Sequence, residues 1–370
     1  MTKQAEVTED YTRRTLTLLR AAEGEAVDMS KRIRKIHSAI LQDVDVAFAG
    51  GSRTRRKLES LQTRVTKRLK KFYKKDWPTE LLEIESEAIT AELAWTQNNL
   101  AIASTESIVA ARAANVVKSA RKRTYQGHTF AYHTKKAFGA QSLRINKQLE
   151  RGYIGGKNVQ EMTRGLKGTL GKANADVRTI TRSYFMHNAT EAKNAVFQRN
   201  PELVEAIIWI STLDGRTTPN ICGIRDGLEY TLGHEAIEHG ISWDAGPGRI
   251  HWNCRSSSAP RLAGIDPGQS ERPAIGPGKK YVRGDNTTST GKVRKNTKKL
   301  REEGIIKVQQ KTSRTHYEGW LREQSKKNID FASDVLGSKK AAQAFRDGKV
   351  TLAQLGAQSP VTNPLARGKI

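Results

Sequence analysis

Leu58-Glu59-Ser60-Leu61-Gln62-Thr63-Arg64-Val65-Thr66-Lys67-Arg68-Leu69-Lys70-Lys71-Phe72 decides the fold class. The apolar residues Leu58, Leu61, Val65, Leu69 and Phe72 step by 3, 4, 4 and 3, which stacks them on one face of an α-helix. The other face carries Arg64, Lys67, Arg68, Lys70 and Lys71, and Lys74 and Lys75 follow. One stripe packs and the remainder is basic. Pro78 is expected to stop this helix, with Thr79 capping the next one over roughly 80–103, where Leu81, Ile84, Ala88, Ala91 and Trp95 repeat the spacing. Gly50-Gly51-Ser52 separates the pair from an earlier amphipathic helix over about residues 5–48, so the N-terminal third reads as a helical hairpin or bundle.

From residue 106 to 200 the expected helices are shorter and basic. Arg151-Gly152-Tyr153-Ile154-Gly155-Gly156-Lys157-Asn158 lacks the Gly-Lys-Ser/Thr ending of a phosphate loop and reads as a joint between helices. At Ala206 the chain changes character. Ala206–Thr212 is a β-branched run ended by Asp214-Gly215, and Ile224–Tyr230 reads as a turn flanked by extended residues. Between Lys279 and Arg301 nine Lys/Arg stand against one Asp with few large apolar residues, the composition of a solvated arm. Helical signal returns from Thr315: Tyr317, Trp320 and Leu321, then Phe331, Val335 and Leu336 closed by Gly337, then Ala341, Ala344 and Phe345 closed by Gly348.

The expected fold is therefore mainly α with a small α+β module. It divides into a long-helix region at 1–120, a core at 121–262 with its strand-containing module at 201–262, a basic flexible linker at 263–314 and a helical tail at 315–370. The 370 residues are enough to bury a core, and the apolar share is about 42 % once Gly is counted and Tyr is not. The formal charge of +26 makes a polyanion the leading partner. No run approaches the roughly 18–20 apolar residues of a membrane span and no secretory h-region opens the chain, so the expected address is cytoplasmic. Two cysteines in such a compartment are thiols or metal ligands rather than a disulfide.

Both cysteines lie in the strand-containing module, in Asp214-Gly215-Arg216-Thr217-Thr218-Pro219-Asn220-Ile221-Cys222 and in Pro247-Gly248-Arg249-Ile250-His251-Trp252-Asn253-Cys254-Arg255. A His-x-x-Cys turn can offer an imidazole and a thiolate to one metal ion, with Cys222 closing the cluster. A fourth ligand would have to come from Asp214, His234 or His239. The competing reading has buried thiols in a loop-rich core and His251 hydrogen-bonded to backbone. Asp214, His234, His239, His251 and Asn253 are also the residue types of a metal-dependent nuclease, but without the His, Asn, His order across a hairpin and helix. No Gly-x-Ser-x-Gly elbow is present.

The order Trp209-Ile210-Ser211-Thr212-Leu213-Asp214-Gly215-Arg216-Thr217, then Cys222 and Asp226-Gly227, then Pro247 and His251-Trp252-Asn253-Cys254-Arg255, resembles the Mu protein F-like minor head, or head-morphogenesis, proteins of tailed bacteriophages. Arg178-Thr179-Ile180-Thr181-Arg182-Ser183 stands where such proteins carry an Ala-Arg-Thr-Glu-like string. Tyr317–Leu321, Val335–Gly337 and Phe345–Lys349 are similar to their C-terminal extension. The resemblance covers about residues 120–358. Thr218 and Ser256 stand where the family pattern often has cysteine, so two thiolates of any family metal site are missing here.

The resemblance implies a non-enzymatic structural role in procapsid assembly and DNA packaging: a minor capsid protein in the virion interior, met in the host cytoplasm during assembly. Its implied partners are the portal or major capsid protein. A metal-dependent nuclease or toxin-like enzyme using Asp214, His251 and Cys254 is the alternative. No cofactor is expected, and zinc is the ion the Cys222, His251 and Cys254 set would suit. Asp214, Arg216, His251 and Arg255 are expected to form a structural polar network. Double-stranded DNA would be held without sequence preference by Lys67, Arg68, Lys70, Lys71, Lys279, Lys280, Arg283, Lys292, Arg294, Lys295, Lys298, Lys299 and Arg301. No zinc-finger, helix–turn–helix or RNA-recognition signature stands out.

Overall fold

The computed structural model describes residues 2–49, 53–266, 272–275 and 310–358. It is mainly helical with a small strand-bearing region, as the sequence predicts. The chain forms two compact units that are not consecutive in sequence. One is built on Met1–Leu16, Glu202–Trp243 and the described part of Arg255–Pro364, and the other on Thr17–Pro201 and Asp244–Cys254. This differs from a division into four successive regions, because Asp244–Cys254 leaves the strand-bearing stretch to pack with the helices.

The helical unit holds most of α1 (Lys3–Phe48), α2 (Arg55–Lys71), α3 (Trp77–Ser104), α4 (Ala113–Lys122), α5 (Phe130–Ile154) and α6 (Val159–Gln198). Leu58, Leu61, Val65, Leu69 and Phe72 are all buried, in one core with Ile33, Ile40 and Val44 of α1 and Leu166, Leu170 and Val177 of α6. Pro78 does not end the helix as expected. A π-helical turn over Phe72–Asp76 joins α2 to α3, with Trp77 N–H bonding Phe72 O. The wider turn carries the chain across Pro78, which sits in the first turn of α3 where a missing N–H is harmless. It also buries Phe72, Tyr73 and Trp77 together, with ring centroids 5.1–5.9 Å apart. Trp77 Nε1 donates to Thr181 Oγ1 at 3.2 Å.

The joint between α5 and α6 is a turn whose backbone donors are already used. Gly156 takes φ +62, and the N–H groups of Gly155, Gly156 and Lys157 return to carbonyls of Arg151, Tyr153 and Gly152. Asn158 and Glu161 close α6 with a reciprocal capping box. From Thr181 to Phe197 nearly every residue of α6 is buried, polar ones included. These are matched by charge: Lys193 faces Glu92 at 3.5 Å, Glu191 pairs with Arg249 and with Arg123, and Glu85 accepts from Tyr184 Oη at 2.8 Å and Arg121 Nε at 2.6 Å.

The strand-bearing unit contains two three-stranded sheets. In the first, β1 (Val204–Ile210) lies between β3 (Glu229–Tyr230) and β4 (Ser257–Leu262), antiparallel to both. Its Val, Ile and Trp residues suit a buried pleat. β4 carries Pro260 on the sheet edge, where a strand tolerates a missing donor. Gln4 covers that edge: its Nε2 donates to Pro260 O at 2.9 Å and its Oε1 accepts from Leu262 N at 2.8 Å. In the second sheet β5 (Arg272–Ile275) runs parallel to β2 (Leu213–Asp214) and antiparallel to β6 (Gln310–Ser313). Residues 272–275 and 310–313 are thus strands, although the sequence places them in a flexible linker. Residues 272–275 pair with β2 and residues 310–313 pair with β5, which local composition does not reveal. The rest of the basic stretch, Lys279–Arg301 included, lies outside the described residues.

The tail consists of α7 (Tyr317–Lys327), α8 (Ile329–Leu336), α9 (Lys339–Arg346) and α10 (Leu352–Gln358). Gly337 and Gly348 close α8 and α9 at φ +82 and +76, the left-handed C-terminal caps read from the sequence. Among the described residues no helix is long and apolar enough to cross a membrane.

Two histidines of the helical unit are held neutral by burial. His37 is depressed to about 4, and His187 to about 3 by burial together with the charge of Arg249. Both folded values lie below the unfolded value of about 6.5, so the unfolded chain binds more protons and stability falls as pH drops through 6.5 toward 4. Each histidine contributes about 1.4 kcal/mol per pH unit in that window. Denaturant melts at pH 7, 6 and 5 are expected to show this loss, and His187→Gln is expected to flatten the pH dependence; an unchanged slope would refute the assignment.

Candidate functional site

The loop after β1 is organised by Asp214. Its Oδ1 accepts from the backbone N–H groups of Arg216 at 2.9 Å and Thr217 at 3.0 Å, which turns the chain at Gly215. Its Oδ2 meets Arg255 at 2.6 Å. Thr212 Oγ1 donates to Arg255 O at 2.7 Å, and Thr217 Oγ1 donates to Thr212 O at 2.6 Å. Two of the expected network residues, Asp214 and Arg255, are therefore a clasp. Arg216 joins through its backbone only, its side chain being exposed. His251 was expected in the same network and is engaged elsewhere, because its ring lies against its own turn, with Nδ1 2.9 Å from Trp252 O.

A second carboxylate was read from the sequence only as part of an Asp-Gly turn. Asp226 has no exposed side-chain surface. Arg272 of β5 forks onto it, with Nη1 2.8 Å from Oδ1 and Nη2 2.5 Å from Oδ2. Ser211 N and Tyr317 N, at the end of β1 and the start of α7, each donate at 2.7 Å, and His316 Nδ1 stands 3.7 Å away. Burial acts to raise its pKa, but the charge and hydrogen bonds of Arg272, aided by His316, outweigh it and hold the carboxyl well below the usual carboxylate range. The tail docks close beside this group. A methyl group on Gly223 would strike the Tyr317 ring, one on Gly227 the His316 ring, and one on Gly215 would stand 2.8 Å from Phe331.

His251 and Cys254 share one tight turn. Cys254 N–H bonds His251 O at 3.1 Å, and Asn253 between them takes φ +58, with its N–H donating to Ser183 Oγ at 3.0 Å. Tyr125 Oη and Gln126 Nε2 hold the carbonyls of His251 and Ile250, at 2.5 and 2.7 Å. Trp252 packs 4.6 Å from the Tyr125 ring. Burial lowers the pKa of His251, but the charge and hydrogen bond of Cys254 raise it more. Cys222 opens the 3-10 turn Gly223–Arg225, where its N–H bonds Thr218 O at 2.9 Å and its carbonyl accepts from Ser211 Oγ at 2.7 Å. Cys222, His251 and Cys254 are each buried.

The expected fourth ligands are committed to other partners. Asp214 belongs to Arg255. His239 Nε2 is 2.9 Å from Glu229 O and its Nδ1 accepts from Ile241 N, while His234 stacks on Trp243 at 4.6 Å. The nuclease set is dispersed in the same way, since Asn253 turns its side chain toward Thr179. Of the expected DNA-contacting residues, Lys67, Arg68, Lys70 and Lys71 are exposed on α2, and those from Lys279 to Arg301 lie outside the described residues. Arg68 spends its fork on Asp43, at 2.6 and 3.1 Å. No protein-family model, curated protein or solved structure matches this chain.

Asp226→Asn leaves Arg272 buried without its counter-charge and is expected to cost about 3–5 kcal/mol, whereas Asp226→Leu combined with Arg272→Met restores much of that loss. Chemical denaturation of the two variants checks this, and equal losses would refute it. The folded carboxyl titrates below its unfolded value, so its contribution is intact at neutral pH and is lost only as pH falls below about 4. Gly223→Ala is expected to loosen the tail, read as faster proteolytic release of α7 to α10 than in the wild type.

Proposed function

We propose that this chain is a structural minor head protein of a tailed phage, incorporated with the portal or major capsid protein and contacting packaged DNA without sequence preference. The observation that carries this reading is the Asp214–Arg255 clasp. It joins the two separate strings on which the likeness to the Mu F-like proteins rests, Trp209–Thr217 and His251–Arg255. The contact runs from Arg255, the last residue of one string, to Asp214 of the other.

The DNA contact is supported by the exposed face of α2 and the π-helical turn. Lys67, Lys70, Lys71, Lys74 and Lys75 form a stripe at helical spacing, all exposed. Among the described residues none of the five has an acidic partner, unlike Arg64 and Arg68, which share Asp43. A lysine stripe of this kind neutralises phosphates as point charges and gains free energy by releasing their counterions. The sequence of Lys279–Arg301 adds nine further cations, and the strands flanking it are paired, Ile275 opposite Gln310.

Co-sedimentation of the chain with procapsids or purified portal is the deciding experiment for the structural role. Failure to co-sediment, together with plasmid cleavage in Mg2+, Mn2+ or Zn2+ that His251→Ala abolishes, would overturn it in favour of an enzyme. DNA binding is expected to be indifferent to sequence and to weaken steeply with salt. Replacing the five lysines by glutamine is expected to flatten the slope of log K against log salt by up to about 4.5, at about 0.9 per phosphate contact. Deleting Lys279–Arg301 is expected to lower affinity with little change in melting temperature. Binding that ignores salt would sink the counterion argument.

A further inference from the structure

We propose that the turn Tyr125–His128 and the first turns of α5 form a binding surface for single-stranded DNA, with the rings of His128 and Tyr132 taking an unpaired base and the lysines around them taking phosphates. The choice of DNA over RNA rests on the function proposed above, and the surface does not.

The two rings lie face to face, their centroids 3.9 Å apart and their planes 20° from parallel. His128 is exposed and Tyr132 is 41 % exposed. An aromatic pair aligned in this way and left in water is a stacking platform, and every base has a π-face to lay against it. The platform is held in place. Tyr125 N–H donates to His128 O at 2.7 Å and His128 N–H to Tyr125 O at 3.2 Å, closing a two-residue turn in which Gln126 and Gly127 take φ +52 and +79. Gln126 Nε2 ties that turn to Ile250 O at 2.7 Å. Thr129 Oγ1 accepts from Tyr132 N at 3.4 Å, and the His133 ring, itself 4.9 Å from Trp252, meets the Tyr132 ring edge-on at 5.7 Å. A base that stacks here has little left to order.

The surroundings supply the charge a strand needs. Residues 107–149 contain nine Lys and Arg and no Asp or Glu. Three of the nine are taken by acids from other helices, Arg121 by Glu85, Arg123 by Glu191 and Arg144 by Asp176. Lys118 and Lys122 lie one turn apart on α4, and Lys135 and Lys136 stand one turn beyond Tyr132 on α5. All four are exposed, and among the described residues none has an acidic partner. A duplex keeps its bases stacked inside and offers such a surface only phosphates. A single strand offers phosphates and base faces together, so it alone engages both the lysines and the rings. The lysine stripe of α2 differs in this respect, because the aromatic residues that follow it, Phe72 and Tyr73, are buried.

Fluorescence anisotropy of the full chain with labelled oligo-dT, a duplex of the same length and an abasic sugar–phosphate strand tests the proposal. Oligo-dT is expected to bind at least about fivefold more tightly than the abasic strand, the smallest gain from one stacked base. Tyr132→Leu is expected to erase that preference and leave duplex affinity unchanged. Replacing Lys118, Lys122, Lys135 and Lys136 by glutamine is expected to flatten the slope of log K against log salt for oligo-dT by up to about 2.8, at about 0.7 per phosphate contact. The comparison of oligo-dT with the abasic strand uses the wild type alone, so it stands whether or not a variant folds. Equal affinity of the wild type for those two strands would overturn the proposal, as would an undiminished preference in folded Tyr132→Leu or tighter binding of oligo-U than of oligo-dT. None of these outcomes alters co-sedimentation with procapsids or portal, so this surface and the structural role fail separately.

Discussion

A carboxylate with no contact with water, Asp226, is the constraint on which the strand-bearing unit depends. An isolated buried ion is costly, and this one is tolerable only because Arg272, Ser211 N and Tyr317 N all arrive. Those donors belong to the end of β1, to β5 and to the first turn of α7, segments separated by up to 106 residues of sequence. All of them meet on one carboxylate, which ties the end of β1, β5 and the first turn of α7 together. The glycines at 215, 223 and 227 follow from the same demand, since the tail has to come near enough for Tyr317 N to reach the carboxylate.

The helical unit solves a different problem. The second half of α6 is enclosed on all sides yet carries His187, Asn188, Thr190, Glu191, Lys193 and Asn194. A helix with an apolar stripe can slide by a turn at modest cost, but a buried Lys193 that must meet Glu92 and a Glu191 that must meet two arginines cannot. Such pairs add little net stability, and in this unit they fix register. The buried acids each face a cation, so the interior is close to neutral and the charge surplus lies on the surface.

What could be read ahead of the structure was what is local. The apolar stripe of α2, the closing glycines at 337 and 348 and the β-branched run of β1 each state their conformation within a few residues. The His-x-x-Cys spacing is local too. Pro78 misled because a π-helical turn just before it absorbs the break, and such a turn has no signature in a single sequence. The Asp226–Arg272 pair was illegible for a different reason. Its partners are 46 residues apart, and nothing marks one arginine among so many as the one that comes inside. His251 was placed in the wrong network because an imidazole can serve a carboxylate or a thiol equally well, and only the turn geometry decides.

Gln4 gives the first unit an unusual timetable. The residue that seals the outer edge of β4 is made 256 and 258 residues before the backbone it seals, at Pro260 and Leu262. At about 5–20 residues per second that interval is roughly 13–50 s. When the strand finally emerges, its partner is already present on the same chain at high local concentration. The edge of β4 is thus closed from within by the chain's own first helix, which leaves it no free backbone there for a strand from another copy.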